Sequence, residues 1–119
     1  MKERYPYINN PYGFKLPEPK PIVHPVIHKW DDFPEEDKVI FKTIKDRIVL
    51  EIGDCRITAY GSKVNGNWDE DSDYDVIVYK DIETEKKMKF WKHGLSGLKA
   101  DIQFNSPDYR PCLLEVEIP

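Results

Sequence analysis

Apolar side chains recur every three or four residues between residues 31 and 54, which is the periodicity of one buried helix face. The positions are Ile40, Phe41, Ile44, Ile48 and Val49. We expect the helix to start near residues 31–34, where an aspartate can cap it and Pro34 is tolerated in the first turn. Acidic residues at 35–37 suit the positive end of the helix dipole, and Gly53 predicts the helix end.

Beyond this helix the pattern changes to short runs that are typical of strands. Three strands are predicted, at residues 55–60, 73–79 and 98–104. A short helix over 62–66 and a helical connection over 82–93 separate them, and residues 113–118 predict a last strand. This order predicts an α/β (α+β) fold, in which a small mixed β-sheet has helices packed on one face.

Residues 1–30 differ in composition from the rest of the chain. They contain six of the ten prolines, and proline is incompatible with a regular helix or a central strand. Aromatic residues are interspersed among the prolines, at a density that a disordered tail would not carry. We therefore predict an extended arm over 1–30, whose rings pack either on its own domain or on a partner, followed by one domain over 31–119.

Length and charge limit the classes of function. The 119 residues are enough for one compact domain. The net charge of −4 argues against a protein that grips nucleic acid chiefly through its phosphates. No apolar run is long enough to span a bilayer, and the N-terminus lacks a signal peptide, so we expect a cytoplasmic protein without a membrane partner. Cys55 and Cys112 are too far apart in sequence to predict a zinc site.

The most informative stretch lies between the first two predicted strands. It opens with Gly61 and Ser62 and closes with a Ser-Asp-Tyr-Asp sequence, in which Asp73 and Asp75 project from the same face of a strand. Paired carboxylates at the start of a buried strand are costly unless a positive group neutralises them, and hard divalent cations are the usual solution. Asp101, on the polar face of the third predicted strand, is a candidate third ligand.

This set of motifs resembles the signature of the polymerase-beta-like nucleotidyltransferase superfamily, in particular its minimal, stand-alone domains. The resemblance covers roughly residues 35–106 and includes a further glycine at position 66. It implies a nucleotidyltransferase-like fold. It also implies an Mg²⁺-dependent transfer of a nucleoside monophosphate from a nucleoside triphosphate, for which we expect ATP, to an acceptor hydroxyl on a protein, an RNA or a small molecule.

The resemblance implies a metal-binding and catalytic role for three aspartates. Asp73, Asp75 and Asp101 are expected to hold two Mg²⁺ ions, an arrangement that suits phosphoryl chemistry. In the family the first two aspartates commonly contact both ions, and the third serves the catalytic one. The residues alone leave a simpler alternative open, in which the first two are ordinary turn acids and the third is a solvated strand residue.

Three consecutive residues are expected to bind the nucleotide. Gly61 lets the backbone approach phosphate closely, the Ser62 hydroxyl can donate to a phosphate oxygen, and Lys63 adds a positive charge. Many relatives have arginine at the position of Lys63 and a basic residue at that of Asn65. This departure weakens the expected grip on the triphosphate but does not affect the metal site. Trp68 is expected to fold over the motif loop rather than to stack on a base.

The chain is short for a complete transferase, because larger relatives carry a second domain that closes over nucleotide and acceptor. The acceptor surface would then come from the arm, from a second copy in a homodimer, or from a helical or toxin partner subunit. The rival function is a non-catalytic nucleotide-binding or regulatory module, or a virus-encoded accessory protein, on the same fold.

Overall fold

The computed structural model describes residues 21–119, so the predictions for residues 1–20 lie outside the described part of the chain. A short 3-10 turn (Trp30–Asp32) precedes the first helix. The helices and strands are α1 (Glu35–Ile52), β1 (Arg56–Tyr60), α2 (Ser62–Asn65), β2 (Tyr74–Tyr79), α3 (Thr84–His93), β3 (Ala100–Asn105) and β4 (Val116–Glu117). The predicted element order is confirmed, and the bounds differ from the predicted ones by a few residues.

Helix α1 begins later than the sequence predicts. Pro34 occupies the N-cap position without a side-chain cap, and the two aspartates before it belong to the 3-10 turn instead. Proline restricts the residue before it to extended backbone, which explains why Phe33 is extended and the helix starts only at Glu35. At the other end Gly53 adopts a φ of 87° and its N–H donates to the Val49 carbonyl, as the sequence predicts for a helix end.

Within residues 21–119 the strands form one four-stranded mixed sheet in the order β3-β2-β1-β4. Strand β1 is antiparallel to β2 and to β4, whereas β2 and β3 are parallel. Alternate strand residues face α1 and α3 and form the hydrophobic core with them. The members of this core include Phe41, Ile44, Ile48, Ile57, Val76, Val78, Phe90 and Ile102. The predicted small mixed sheet with helices on one face is therefore confirmed.

The described part of the arm packs against the domain. The backbone N–H groups of Val23 and His24 both donate to the Gly66 carbonyl, and the N–H of Ile27 donates to the Val64 carbonyl. Ile27 is buried in the core cluster. Residues 21–27 therefore lie along α2 and the start of the motif loop. The packing predicted for the aromatic rings among residues 1–20 lies outside the described residues.

Among the described residues, no helix combines the length and the apolar character that crossing a membrane would demand. The cytoplasmic location stays a prediction.

Candidate functional site

The register of the sheet brings the two predicted strand aspartates together. In the parallel pair of β2 and β3, Asp75 lies directly beside Asp101. In the antiparallel pair of β1 and β2, Asp75 lies opposite Tyr60, the last residue before the Gly-Ser turn. Residues that face each other across neighbouring strands point to the same side of the sheet. The face opposite the helices therefore carries Tyr60, Asp75 and Asp101 in a row at one end.

The carboxyl of Asp75 is influenced by burial and by the charges of the other two aspartates. Burial raises the pKa of the Asp75 carboxyl to about 6, with further contributions from the negative charges of Asp101 and then Asp73, while a hydrogen bond from the Ser62 backbone N–H lowers it. The carboxyl of Asp75 is thus poorly stabilised as an anion by the protein itself. This is the condition in which a bound cation would be most favourable.

Tyr60 is a residue of this site that the motif analysis missed. Burial, and then the charges of Asp75 and Asp101, raise the pKa of its hydroxyl to about 12. The side chain therefore stays neutral beside the carboxylates at every physiological pH. The signal available in the sequence was its position, since a residue that ends β1 just before the turn must lie beside the start of the neighbouring antiparallel strand.

Gly61 makes the close approach between the turn and β2 possible. Its φ of 78° and ψ of −151° lie in a region that is essentially restricted to glycine. A Cβ atom at this position would lie 2.2 Å from Oδ2 of Asp75. The turn thus needs glycine both for its backbone conformation and for the space that the Asp75 carboxylate occupies.

The amide of Ser62 is engaged differently from the expectation for a nucleotide-binding turn. The sequence predicts backbone amides that are free to meet a phosphate, whereas the Ser62 amide here faces the Asp75 carboxylate and lowers its pKa. The predicted contact between the Ser62 hydroxyl and a phosphate oxygen stays a prediction, as does the close backbone approach at Gly61.

Lys63 is buried, although the sequence predicts that it adds a positive charge for the triphosphate. Its side chain is 9% exposed, and its Nζ lies 3.6 Å from Oδ1 of Asp37 on α1. The ammonium also lies over the rings of Trp68 and Tyr74, at 3.9 and 4.7 Å from their centroids. A contact of Lys63 with phosphate stays a prediction, and it would require the ammonium to leave these partners.

Trp68 folds over the motif loop. Its ring stacks on His24 of the arm, with 3.6 Å between centroids and an interplanar angle of 7°. Because Lys63 lies over the same ring, the indole is occupied by contacts within the protein. This is the arrangement that the sequence analysis favoured over stacking on a base.

The three aspartates do not form a ready-made metal centre. Residues 21–119 contain no group of three or more His, Cys, Asp or Glu side chains arranged so that they could hold a metal ion. Asp73 and Asp101 are exposed, so their side chains are free of the packing that fixes a buried rotamer. The predicted ligand set of Asp73, Asp75 and Asp101 stays a prediction that requires these exposed carboxylates to turn towards Asp75.

The raised pKa of Asp75 makes a prediction about stability. Between the ordinary pKa of about 3.8 and the folded-state value of about 6, the folded protein binds more protons than the unfolded chain. Its free energy of unfolding should therefore fall as pH rises from 4 to 6. Because Asp75 is only half-buried, we expect a loss of about 1 kcal/mol after allowance for solvent screening. Urea unfolding at pH 4, 5, 6 and 7 measures this loss in the free energy of unfolding.

Asp75→Asn is the reference for this measurement, since other carboxyl groups add their own pH dependence. The difference between the wild type and Asp75→Asn should shrink at low pH and be largest above pH 6. A difference that is constant across the range would contradict the prediction.

The fold and the acidic end of the sheet define a minimal nucleotidyltransferase-type domain. A family model described as a nucleotidyltransferase domain matches residues 40–117, which include the Gly-Ser turn and all three aspartates. Because this match covers about two thirds of the chain, the protein belongs to the nucleotidyltransferase domain family. No curated protein and no solved structure matches the chain significantly. Membership of the family supports nucleotidyl transfer as the general class of activity.

Proposed function

We propose that this protein is an Mg²⁺-dependent nucleotidyltransferase that moves a nucleoside monophosphate, with ATP as the first candidate donor, onto an acceptor hydroxyl. The observation that carries the proposal is the register pair of Asp75 and Asp101 beside the Gly61 turn. Family membership provides the reaction class, and the site provides carboxylates of the type that Mg²⁺ prefers.

The carboxylates fit the metal that the reaction class requires. Three carboxylates that repel each other around Asp75 would be neutralised by Mg²⁺, and Asp73, Asp75 and Asp101 are the residues that would hold it. Bound Mg²⁺ supplies positive charge for the phosphate oxygens and activates an oxygen nucleophile. The aspartates would hold that charge at the start of β2 and β3, close to the Gly61 turn.

The remaining steps depend on the turn and on the acceptor. The Ser62 hydroxyl would donate to a phosphate oxygen, and the lack of a side chain at Gly61 would let the Asp75 carboxylate lie beside the turn. A bond forms between the acceptor oxygen and the α-phosphorus, the bond from that phosphorus to the bridging oxygen breaks, and pyrophosphate leaves. The proton of the acceptor hydroxyl passes to a carboxylate of the site or to water.

Label transfer tests the proposal directly. The pure protein would be incubated with each of the four α-labelled nucleoside triphosphates and Mg²⁺, alone and with candidate protein and RNA acceptors. We expect transfer from at least one nucleotide, which Asp73→Ala abolishes and EDTA suppresses. Asp108→Ala, an exposed aspartate in the loop after β3, is the matched control and should leave transfer unchanged.

A non-catalytic nucleotide-binding module is the second candidate. One observation favours it: the described residues lack a preformed group of three metal ligands. Protection of the protein by nucleotide against thermal unfolding, without label transfer to any acceptor, would support this module. If the nucleotide neither protects the protein nor is transferred, the remaining interpretation is a scaffold protein that does not bind nucleotide.

We also propose that the acceptor side of the site is completed by a second copy of the chain or by a helical or toxin partner subunit. The family match covers a single small domain, and the described part of the arm packs on α2 instead of forming a separate lobe. Light scattering coupled to size-exclusion chromatography distinguishes a homodimer from a monomer that needs another protein.

A further inference from the structure

A buried polar cluster lies behind the acidic end of the sheet, on the side of the helices. Its members are Asp37 of α1, Lys63 of α2 and Tyr74 of β2. The Tyr74 hydroxyl donates to Oδ1 of Asp37 at 2.9 Å, and the Lys63 ammonium lies 3.6 Å from the same oxygen. The side chains of Asp37 and Lys63 are only 8% and 9% exposed.

The cluster holds both chain segments that carry the candidate site residues. Lys63 directly follows Ser62, and Tyr74 stands between Asp73 and Asp75. Side chains alternate along a strand, so Tyr74 points to the helix side and Asp75 to the opposite side. The contact of Tyr74 with Asp37 therefore fixes the position of Asp75 along the sheet. The contact of Lys63 with Asp37 fixes the position of the Gly61–Ser62 turn.

Packing further restrains the side chain of Tyr74. Its ring meets Phe41 of α1 edge to face, with 5.1 Å between centroids, and the Lys63 ammonium lies over its face. The Asp37 carboxylate thus takes part in a charge pair and a hydrogen bond, while the Tyr74 ring makes two further contacts.

Stability is a weak reason for such a cluster. Replacing a buried ion pair by apolar residues of similar volume is often neutral or stabilising, because burying the charges costs as much as their attraction returns. Apolar residues would not reproduce the way in which the Asp37 carboxylate contacts two segments at once. It accepts a hydrogen bond from Tyr74 of β2 and forms an ion pair with Lys63 of α2. The family match starts at residue 40, so Asp37 lies outside it and is a feature that the family model does not describe.

We propose that Asp37, Lys63 and Tyr74 form a positioning cluster that fixes the Gly61–Ser62 turn against Asp75. The inference rests on the proposed function for its effect on the reaction, because a positioning residue acts only through the groups that touch the substrate. Its structural consequence can be measured without any turnover.

Two variants test the cluster. Tyr74→Phe removes only the hydroxyl donor, and the double variant Asp37→Asn/Lys63→Met removes both charges so that neither is left unpaired. With the donor nucleotide and acceptor that the wild type uses, each should lower kcat about tenfold, with KM for the nucleotide within twofold, since misplaced groups lose rate rather than binding. Arg56→Met is the matched control, because it removes an ion pair with Glu117 at the other end of β1.

Amide hydrogen exchange provides the measurement that does not depend on turnover. In both variants the backbone amides of Ser62 and Asp75 should exchange at least tenfold faster than in the wild type. The amide of Ile57, a buried residue near the start of β1, should not change. Arg56→Met should leave Ser62 and Asp75 unchanged.

The outcomes separate this inference from the proposed function. Wild-type kcat and unchanged exchange in Tyr74→Phe would overturn the positioning role. Exchange that accelerates equally at Ile57 would also overturn it, because it would show a general loss of stability. A rise in KM in the double variant that Tyr74→Phe does not share would instead place Lys63 on the phosphates. If the wild type transfers no nucleotide, the proposed function fails, and the exchange comparison alone decides whether the cluster positions the turn.

Discussion

Asp75→Asn is expected to abolish nucleotidyl transfer and, at the same time, to make the metal-free protein more stable above pH 6. The wild-type carboxylate is half-buried and repelled by Asp101 and Asp73, which is why its pKa is raised to about 6. Removing its charge removes that repulsion, and we expect a gain of about 1 kcal/mol in the free energy of unfolding at pH 7.5 after discounting for solvent screening. Transfer should fall by about a thousandfold or more, since a group that stabilises developing charge is lost.

The informative result is that Asp75→Asn loses transfer activity and gains stability. A residue that matters only for folding would lose stability and activity together, whereas functional residues often carry a cost in stability. Label transfer and urea unfolding at pH 7.5, each without and with Mg²⁺, measure both. In addition, Mg²⁺ should raise the unfolding midpoint of the wild type and not that of Asp75→Asn. An Asp75→Asn protein with full activity would contradict the assignment of this carboxylate.

Asp108→Asn is the control for the first prediction. It removes the same charge from an exposed loop and should change neither transfer nor the response to Mg²⁺. If both variants gain stability equally, the gain would come from the lower net negative charge of the protein, and not from relief of repulsion around Asp75.

Gly61→Ala is expected to have the largest effect on stability. The φ and ψ of Gly61 cost an alanine about 2 kcal/mol, and the new Cβ would lie 2.2 Å from Oδ2 of Asp75. Moving that carboxylate away from the turn should add about 2 kcal/mol, in the range of overpacking costs. Urea unfolding should therefore show a loss of about 4 kcal/mol in total, together with a loss of transfer.

The chain offers a closely matched control for this substitution. Gly94, at the end of α3, has a φ of 61° and a ψ of −157°, but a Cβ there would meet no atom within 4 Å. Gly94→Ala should thus show the backbone cost alone, about 2 kcal/mol. The double variant Gly61→Ala/Asp75→Ala should recover the excess, as expected for two residues in direct contact. Equal losses in Gly61→Ala and Gly94→Ala would mean that the close approach to Asp75 has no energetic consequence.

Much of the fold was accessible from local patterns. The periodicity of three and four residues in α1 matched its buried face, since Phe41, Ile44 and Ile48 are all fully buried. The alternation in β3 correctly put Ile102 in the core. The helix start was displaced because Pro34 restricts the residue before it, and the last strand is shorter than predicted because it pairs with β1 over only two positions.

The candidate site was accessible only in part. The family resemblance implied that Asp75 and Asp101 belong together, and the register places them side by side. Spacing did not predict that Tyr60 lies beside them or that Asp37 of α1 reaches Lys63 and Tyr74. Lys63 follows a Gly-Ser turn, and a lysine at such a position is expected to bind phosphate. No local pattern in the sequence distinguishes a phosphate-binding lysine from a buried lysine that pairs with Asp37 of α1.

The sequence by itself determined the element order, the Gly-Ser turn with its three aspartates, and membership of the nucleotidyltransferase domain family. These are local properties, because periodicity, turn residues and motif spacing depend on neighbours along the chain. Only the tertiary structure decided which way Lys63 points, what Trp68 stacks on and why Asp75 holds its proton to about pH 6. The physical reason is that burial and charge act through space, and the partners concerned lie far apart in the sequence.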